Sequence, residues 1–268
     1  MLIEFLARLG VGHLVLIDPD RIEPSNLSRV VGATAWDARL PFSESSIDLV
    51  RTWARKFASL KVDIARRVVR KANPKIVVEP IVGDFSRAKA VRRFLDCDFL
   101  FLAADSMRAR LVFNAVVQQY FIPGIQVGAK VVKSTGSEEI EDAFSVARWT
   151  SPGNNCLWCS GMISPHQLAI EAKSEKERVD QAYGTDEPNP SVVTLNAVAA
   201  AQAANDFLIS YLSLHDESVS VSPRRFKHLS RQLIAEQYDP DTNCPECSAS
   251  ARSRFGMGDA ARLPVSGV

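Results

Sequence analysis

His13-Leu14-Val15-Leu16-Ile17-Asp18, running directly into Pro19-Asp20-Arg21-Ile22-Glu23-Pro24-Ser25-Asn26-Leu27-Ser28-Arg29, decides how this chain folds. The first part is a short apolar run without polar alternation, the pattern of a parallel strand covered on both faces, and it ends on a carboxylate. Where a doubly wound fold binds a ribose, a carboxylate at a strand's end accepts hydrogen bonds from the diol, so Asp18 is a candidate for that contact. Arg29, eleven residues further on, carries a planar five-donor fork suited to phosphate. By itself an acidic strand end opens a loop as often as it binds a ligand.

The same pattern recurs outward from this stretch. Before it, Leu2, Phe5, Leu6 and Leu9 lie on one helical stripe that Gly10 and Gly12 stop, so the chain begins inside an element. After it, apolar runs at 76–82, 99–103 and 122–127 predict strands, the second of them leading to Asp105. Helical patterns at 59–72, 86–95 and 106–119 lie between them. Strands alternating with helices of ~10–15 residues predict βαβ units, a Rossmann-like, mostly parallel doubly wound sheet, and ligands at the carboxyl ends of its strands.

Past residue 149 the pattern changes. Residues 150–190 carry Pro, Gly, Asn and charged residues with little periodicity and read as a crossing loop. A long helix follows from about Ser191 to Leu212, within a segment 191–247 that ends on the last cysteines. Its alanines, Ala199 to Ala201, Ala203 and Ala204, permit close backbone approach to a sheet or another subunit, or simply reflect helix propensity. Residues 248–268, rich in Ser, Ala, Arg and Gly, read as a mobile tail after a nucleotide-binding core at 1–149.

Composition narrows the function classes. With 32 basic against 31 acidic residues the formal charge is +1, too small a field to drive binding to nucleic acid or a membrane surface. No apolar run reaches the roughly 18 residues a bilayer requires, and the opening residues lack the pattern of a signal peptide, so a cytoplasmic protein is expected. Four of the five cysteines form two C-x-x-C pairs, Cys156/Cys159 and Cys244/Cys247, which in a reducing compartment are more often metal ligands than disulfides. The pairs stand much further apart than the ~15–20 residues of a compact zinc ribbon, so spacing alone leaves buried or redox-exchanging thiols open.

Taken whole, Asp18 to Arg29 resembles the D-x-D-x-I-x-x-S-N-L-x-R signature of the ThiF/MoeB and ubiquitin-activating superfamily. Ser59-Leu60-Lys61-Val62 looks like that family's helix-opening lysine segment, and Asn73-Pro74 like its helix-ending pair. Ala104-Asp105-Ser106 with Arg110 and Asn114 looks like its second acidic strand end, and the cysteine pairs occupy its zinc positions. The similarity runs from Leu2 to Cys247.

The resemblance implies an adenylating enzyme. Asp18 and Asp20 belong to the nucleotide site, with Asp18 on the ATP ribose, while Asn26, Arg29 and Lys61 face the phosphates and Asp105 binds Mg²⁺. Cys156, Cys159, Cys244 and Cys247 hold a structural Zn²⁺ that pins the C-terminal segment to the crossing loop. The substrate implied is the C-terminal carboxylate of a ubiquitin-like or sulfur-carrier protein, and a homodimer is expected. Some relatives pass the adenylated carboxylate to a thiol in the crossing loop. Residues 161–190 contain no cysteine, and Cys97, leading into an apolar strand, reads as a small buried thiol, so no internal thioester is expected. The family's first strand and glycine loop belong before the helix of Leu2 and Phe5, which reads as a truncation, and the span between Arg29 and Lys61 reads as an insertion near the nucleotide. A catalytically dead, zinc-containing docking or dimerisation module is the alternative.

Overall fold

The computed structural model describes residues 1–134, 137, 139–173, 192–216 and 222–265. Its fold is mixed α/β with Rossmann-like βαβ units. Strand β1 (His13–Ile17) pairs in parallel with β2 (Val77–Ile81), in a register that sets Leu14 beside Val78 and Ile17 beside Ile81. Helix α1 (Leu2–Arg8) precedes β1, and α2 (Asp48–Phe57) and α3 (Lys61–Ala72) lie between the two strands. The end of α3 follows from Asn73-Pro74, because the residue before a proline is driven out of the helical region. Asn73 turns that break into a tie, its Nδ2 donating to the Ala7 carbonyl of α1 at 3.2 Å.

The second unit follows helix α4 (Ala88–Val91). Strand β3 (Leu100–Leu102) pairs in parallel with β4 (Gly124–Lys133), joined by α5 (Met107–Tyr120). Ser106 starts α5 as its N-cap, the hydroxyl accepting from the Ala109 N–H at 3.1 Å. Gly124 is required where β4 meets both neighbours, since a Cβ there meets the Leu100 carbonyl oxygen at 2.6 Å and the Phe113 ring at 2.7 Å. Beyond β4 the sheet turns antiparallel through β5 (Ile140–Thr150), β6 (Arg224–Lys227) and β7 (Gln232–Ala235), elements absent from the sequence reading. The described strands thus form a two-stranded sheet, β1-β2, and a five-stranded sheet, β3 to β7.

Four clusters carry the core, and three of them join helices to strands. Val112, Phe113, Val116 and Val117 of α5 pack with Leu100 and Leu102 of β3 and with Leu157 and Ile163 of the crossing segment. Leu6, Leu14, Val69 and Ile76 join α1, β1 and α3, and Phe101 of β3 packs against this cluster. The third sets Ala203 of α7 (Val193–Tyr211) on Ile125 and Ala147, so this alanine serves close approach to the sheet. Part of the crossing loop expected over 150–190 lies outside the described residues; the described part contains α6 (Pro165–Glu171).

Described residues of the segment 248–268, expected as a mobile tail, make contacts with α5. Gln119 Nε2 donates to the carbonyls of Gly258 and Ala261, both at 2.6 Å, and the Tyr120 hydroxyl donates to Asp259 at 2.9 Å. Leu263 and Val265 pack on the α5 cluster. A few apolar anchors and backbone carbonyls make these contacts in a segment that is otherwise small and polar.

Candidate functional site

The stretch that follows β1 folds back on itself. Ile17 is the last strand residue, and Asp18 turns the chain by accepting the Asp20 N–H on Oδ1 at 2.8 Å. Burial raises the Asp18 pKa, opposed by that amide and by the nearby Lys61 ammonium. Pro24–Asn26 form a single 3₁₀ turn, in which Asn26 Oδ1 accepts the Glu23 N–H at 3.3 Å and the asparagine is buried. Arg29 Nη1 donates to the Ser25 carbonyl at 3.0 Å. Lys61 opens α3, and its Nζ lies 2.6 Å from Asp20 Oδ2.

Of these residues Asp20, Asn26, Arg29 and Lys61 line one cavity of about 350 Å³, with Arg21 and Arg55 among its other walls. Four cationic side chains there, Arg21, Arg29, Arg55 and Lys61, face two carboxylates, Asp20 and Glu23. Residues far apart in sequence meet because β1 and α3 are stitched at this level. The Lys61 N–H donates to the Asp20 carbonyl at 2.9 Å, Ile22 N–H to Ser59 at 2.9 Å, and Arg21 Nη1 to Ala58 at 2.5 Å. Asp18 sits beside the cavity, within electrostatic reach of Lys61.

The insertion between Arg29 and Lys61 forms part of this wall. Asp37 is its anchor: its carboxylate accepts from Arg67 Nη1 at 3.0 Å and Nη2 at 2.7 Å, and from the Thr34 N–H and hydroxyl at 2.9 and 2.8 Å. The Arg67 guanidinium, with these other donors, holds the Asp37 carboxyl well below the usual carboxylate range. The Asp37 carbonyl accepts the Ser59 N–H at 2.9 Å, tying the insertion to the residues ahead of α3. Arg55 and Ser43 enter the cavity from here, and the sequence reading missed both. Arg55 is one of several basic residues on a charged helix, so no local pattern distinguishes it.

Asp105 follows β3, as expected, but it is not part of the cavity wall. It is exposed, its carboxylate has no hydrogen bond among the described residues, and Arg110 lies within electrostatic reach.

Cys156, Cys159, Cys244 and Cys247 converge, all four Sγ atoms lying within 4.8 Å of one another. Cys156 Sγ is 4.0 Å from Cys244 Sγ, and Cys159 Sγ is 3.6 Å from Cys247 Sγ. Tetrahedral ligation at about 2.3 Å per Zn–S bond places sulfurs about 3.8 Å apart, so the cluster has the size and donor chemistry to hold a metal such as zinc. Asn114 of α5 joins both cysteine segments to the core: Oδ1 accepts the Leu157 N–H at 2.8 Å, and Nδ2 donates to Glu246 at 3.3 Å. Cys97 is half-buried at the edge of the α5 cluster, and burial pushes its thiol pKa up.

The comparisons with known proteins agree with this architecture. The ThiF family model matches residues 1–249, and the chain belongs to the ThiF family. It is similar to the "Adenylyltransferase and sulfurtransferase UBA4" of Yarrowia lipolytica, 27% identical over 169 residues that make up 63% of this chain and 35% of the relative. The "SAMP-activating enzyme E1" of Haloferax volcanii is 30% identical over 121 residues, 45% of this chain and 38% of the relative. The chain thus spans between a third and two fifths of the length of these two relatives. Among solved structures, E. coli MccB in its complex with ATP superposes with a TM-score of 0.64 at 17% identity, covering 92% of this chain and 62% of MccB. The complex of MccB with N-formylated MccA gives a TM-score of 0.66 at 18% identity, covering 92% of this chain and 63% of MccB. At this identity the likeness is one of fold. Among the described residues no helix is long and apolar enough to cross a membrane.

Proposed function

We propose that this chain adenylates the C-terminal carboxylate of a ubiquitin-like or sulfur-carrier protein at the expense of ATP, without an internal thioester. The observation that carries the reading is the convergence of Asp20, Asn26, Arg29 and Lys61 on one cationic cavity at the carboxyl end of β1, with Asp18 beside it. The names of the UBA4 and SAMP-activating relatives support the reaction class, and MccB, a protein of the same fold, has been crystallised with ATP.

In this reading a carboxylate oxygen of the carrier attacks the α-phosphorus in line, the bond from that phosphorus to the bridging oxygen of the β-phosphate breaks, and pyrophosphate leaves with the electron pair. The attacking group is already ionised, so the step calls for positioning and charge neutralisation rather than a base. Asp18 accepts from the ribose hydroxyls, and Asn26, Arg29 and Lys61 donate to the phosphate oxygens, where charge builds up in the transition state. Lys61 exchanges Asp20 for phosphate as the nucleotide enters. Asp105 offers an unengaged carboxylate to Mg²⁺, a hard cation that prefers oxygen donors and would neutralise phosphate charge. The cysteine cluster holds zinc in a structural role, and the chain acts as a cytoplasmic homodimer. Incubation with ATP and candidate carrier proteins, followed by intact-mass analysis of the carrier, tests the reaction. A carrier heavier by one adenylyl group supports it; carriers that remain unmodified at every enzyme concentration count against it.

A further inference from the structure

The cavity has a second wall that the family signature does not supply. Ser43 lies in a 3₁₀ turn (Phe42–Glu44) of the insertion; it is only 5% exposed, and its hydroxyl has no hydrogen-bond partner among the described residues. A buried hydroxyl without a partner is costly, and a ligand oxygen relieves it. Arg55, in the last turn of α2, lines the same cavity. The other cations there are engaged: Arg21 with the Ala58 carbonyl, Arg29 with the Ser25 carbonyl and Lys61 with Asp20. The Arg55 guanidinium has neither a hydrogen bond nor an ion pair among the described residues.

We infer that Arg55 and Ser43 form an anion subsite that receives phosphate oxygens of the leaving pyrophosphate. One carboxylate would be satisfied by one cation, whereas this cavity sets four against two acidic residues, an excess suited to a ligand with several anionic centres. The guanidinium offers a planar fork to two phosphate oxygens, and the hydroxyl donates to a third. The insertion is therefore part of the nucleotide site, held in place by the Asp37–Arg67 tie. This inference rests on the adenylation reading and names residues of the same site.

The test is isothermal titration of the 268-residue chain with inorganic pyrophosphate, with Mg-ATP and with AMP, using Arg55→Gln, Ser43→Ala and Lys56→Gln. Lys56→Gln removes the same charge from the next position, which does not line the cavity. Arg55→Gln is expected to weaken pyrophosphate and ATP about tenfold, the scale of one charge-assisted contact, with Ser43→Ala weakening them by about threefold. Lys56→Gln should change neither, and AMP affinity should be the same throughout. Thermal melts of each variant report whether it is folded, and Ser43→Ala leaves the charge of the cavity intact. Equal effects of Arg55→Gln and Lys56→Gln, no effect of either cavity variant, or no pyrophosphate binding by the wild type would each overturn the subsite. Unaltered ATP binding in the variants refutes the subsite alone, whereas Arg55-dependent pyrophosphate binding without ATP binding sustains the subsite and refutes adenylation.

Discussion

Lys61 Nζ lies 2.6 Å from Asp20 Oδ2, an ion pair that closes the gap between the carboxyl end of β1 and the first turn of α3. Both groups retain access to solvent, so the pair is a modest stabiliser and an exchangeable one. Lys61→Ala should therefore leave the melting temperature nearly unchanged while lowering kcat/KM for ATP by about 10²-fold, the scale for losing one preorganised charge contact. Asp20→Asn, which removes only the resting partner, should cost less than Lys61→Ala. Steady-state adenylation rates and thermal melts of the two variants check this.

The Asp37–Arg67 tie makes stability depend on acid. The folded-state pKa of Asp37 is depressed, so its contribution is fully present above the unfolded carboxylate value of about 3.9 and is lost as pH falls through the folded value. Urea melts of wild type and Asp37→Asn should differ most near neutral pH and converge as the pH is lowered below about 3.9. A gap that stays constant down to the acid limit would show that the carboxylate charge is not what anchors the insertion.

Metal and fold should be coupled through the cysteines. Purified protein is expected to carry one zinc per chain, and a strong chelator or Cys244→Ser should lower the melting temperature and expose the segment that packs on α5 through Asn114 and Glu246. Elemental analysis finding well under one zinc per chain, together with an unaltered melt for Cys244→Ser, is the contrary outcome. Cys97→Ala should cost stability only, by roughly the loss of one small half-buried group, and should form the same products as wild type.

Glu171 of α6 ties the crossing segment to the start of α5. Its two carboxylate oxygens accept the N–H groups of Met107 and Arg108, at 2.7 and 2.9 Å, where α5 begins beside Asp105. Glu171→Ala should cost about 1 kcal/mol, the scale of a lost helix cap, and should accelerate proteolytic cleavage near α6. Limited proteolysis compared with wild type measures it.

How much of this was legible in the sequence depends on whether a local pattern existed to be read. The apolar run at 13–17 carries its geometry in a few adjacent residues and forms β1, and of the stretch from Asp18 to Arg29 the cavity wall takes Asp20, Asn26 and Arg29 but not Asp18. Strand β6 was missed because Arg224-Arg225-Phe226-Lys227 has no apolar alternation. It is held by cross-strand charge, with Arg225 paired to Glu236 and Lys227 to Asp142. Arg55 and Ser43 were missed because their place in the cavity follows from the long-range Asp37–Arg67 tie, which no local periodicity encodes. Asp105 was correctly placed after an apolar strand, yet that strand belongs to the larger sheet, and the aspartate stands apart from the cavity wall.

The most direct measurement is exchange of labelled pyrophosphate into ATP in the presence of a ubiquitin-like or sulfur-carrier protein, run alongside a non-reducing gel. The account predicts exchange that requires the carrier, falls about 10²-fold in Arg29→Ala and Lys61→Ala, and is abolished in Asp105→Ala, with no thiol-sensitive carrier conjugate. Exchange that is absent with every carrier, or indifferent to Arg29 and Lys61, would contradict adenylation at this cavity, and a thiol-labile carrier band lost in Cys97→Ala would show that a thioester forms after all.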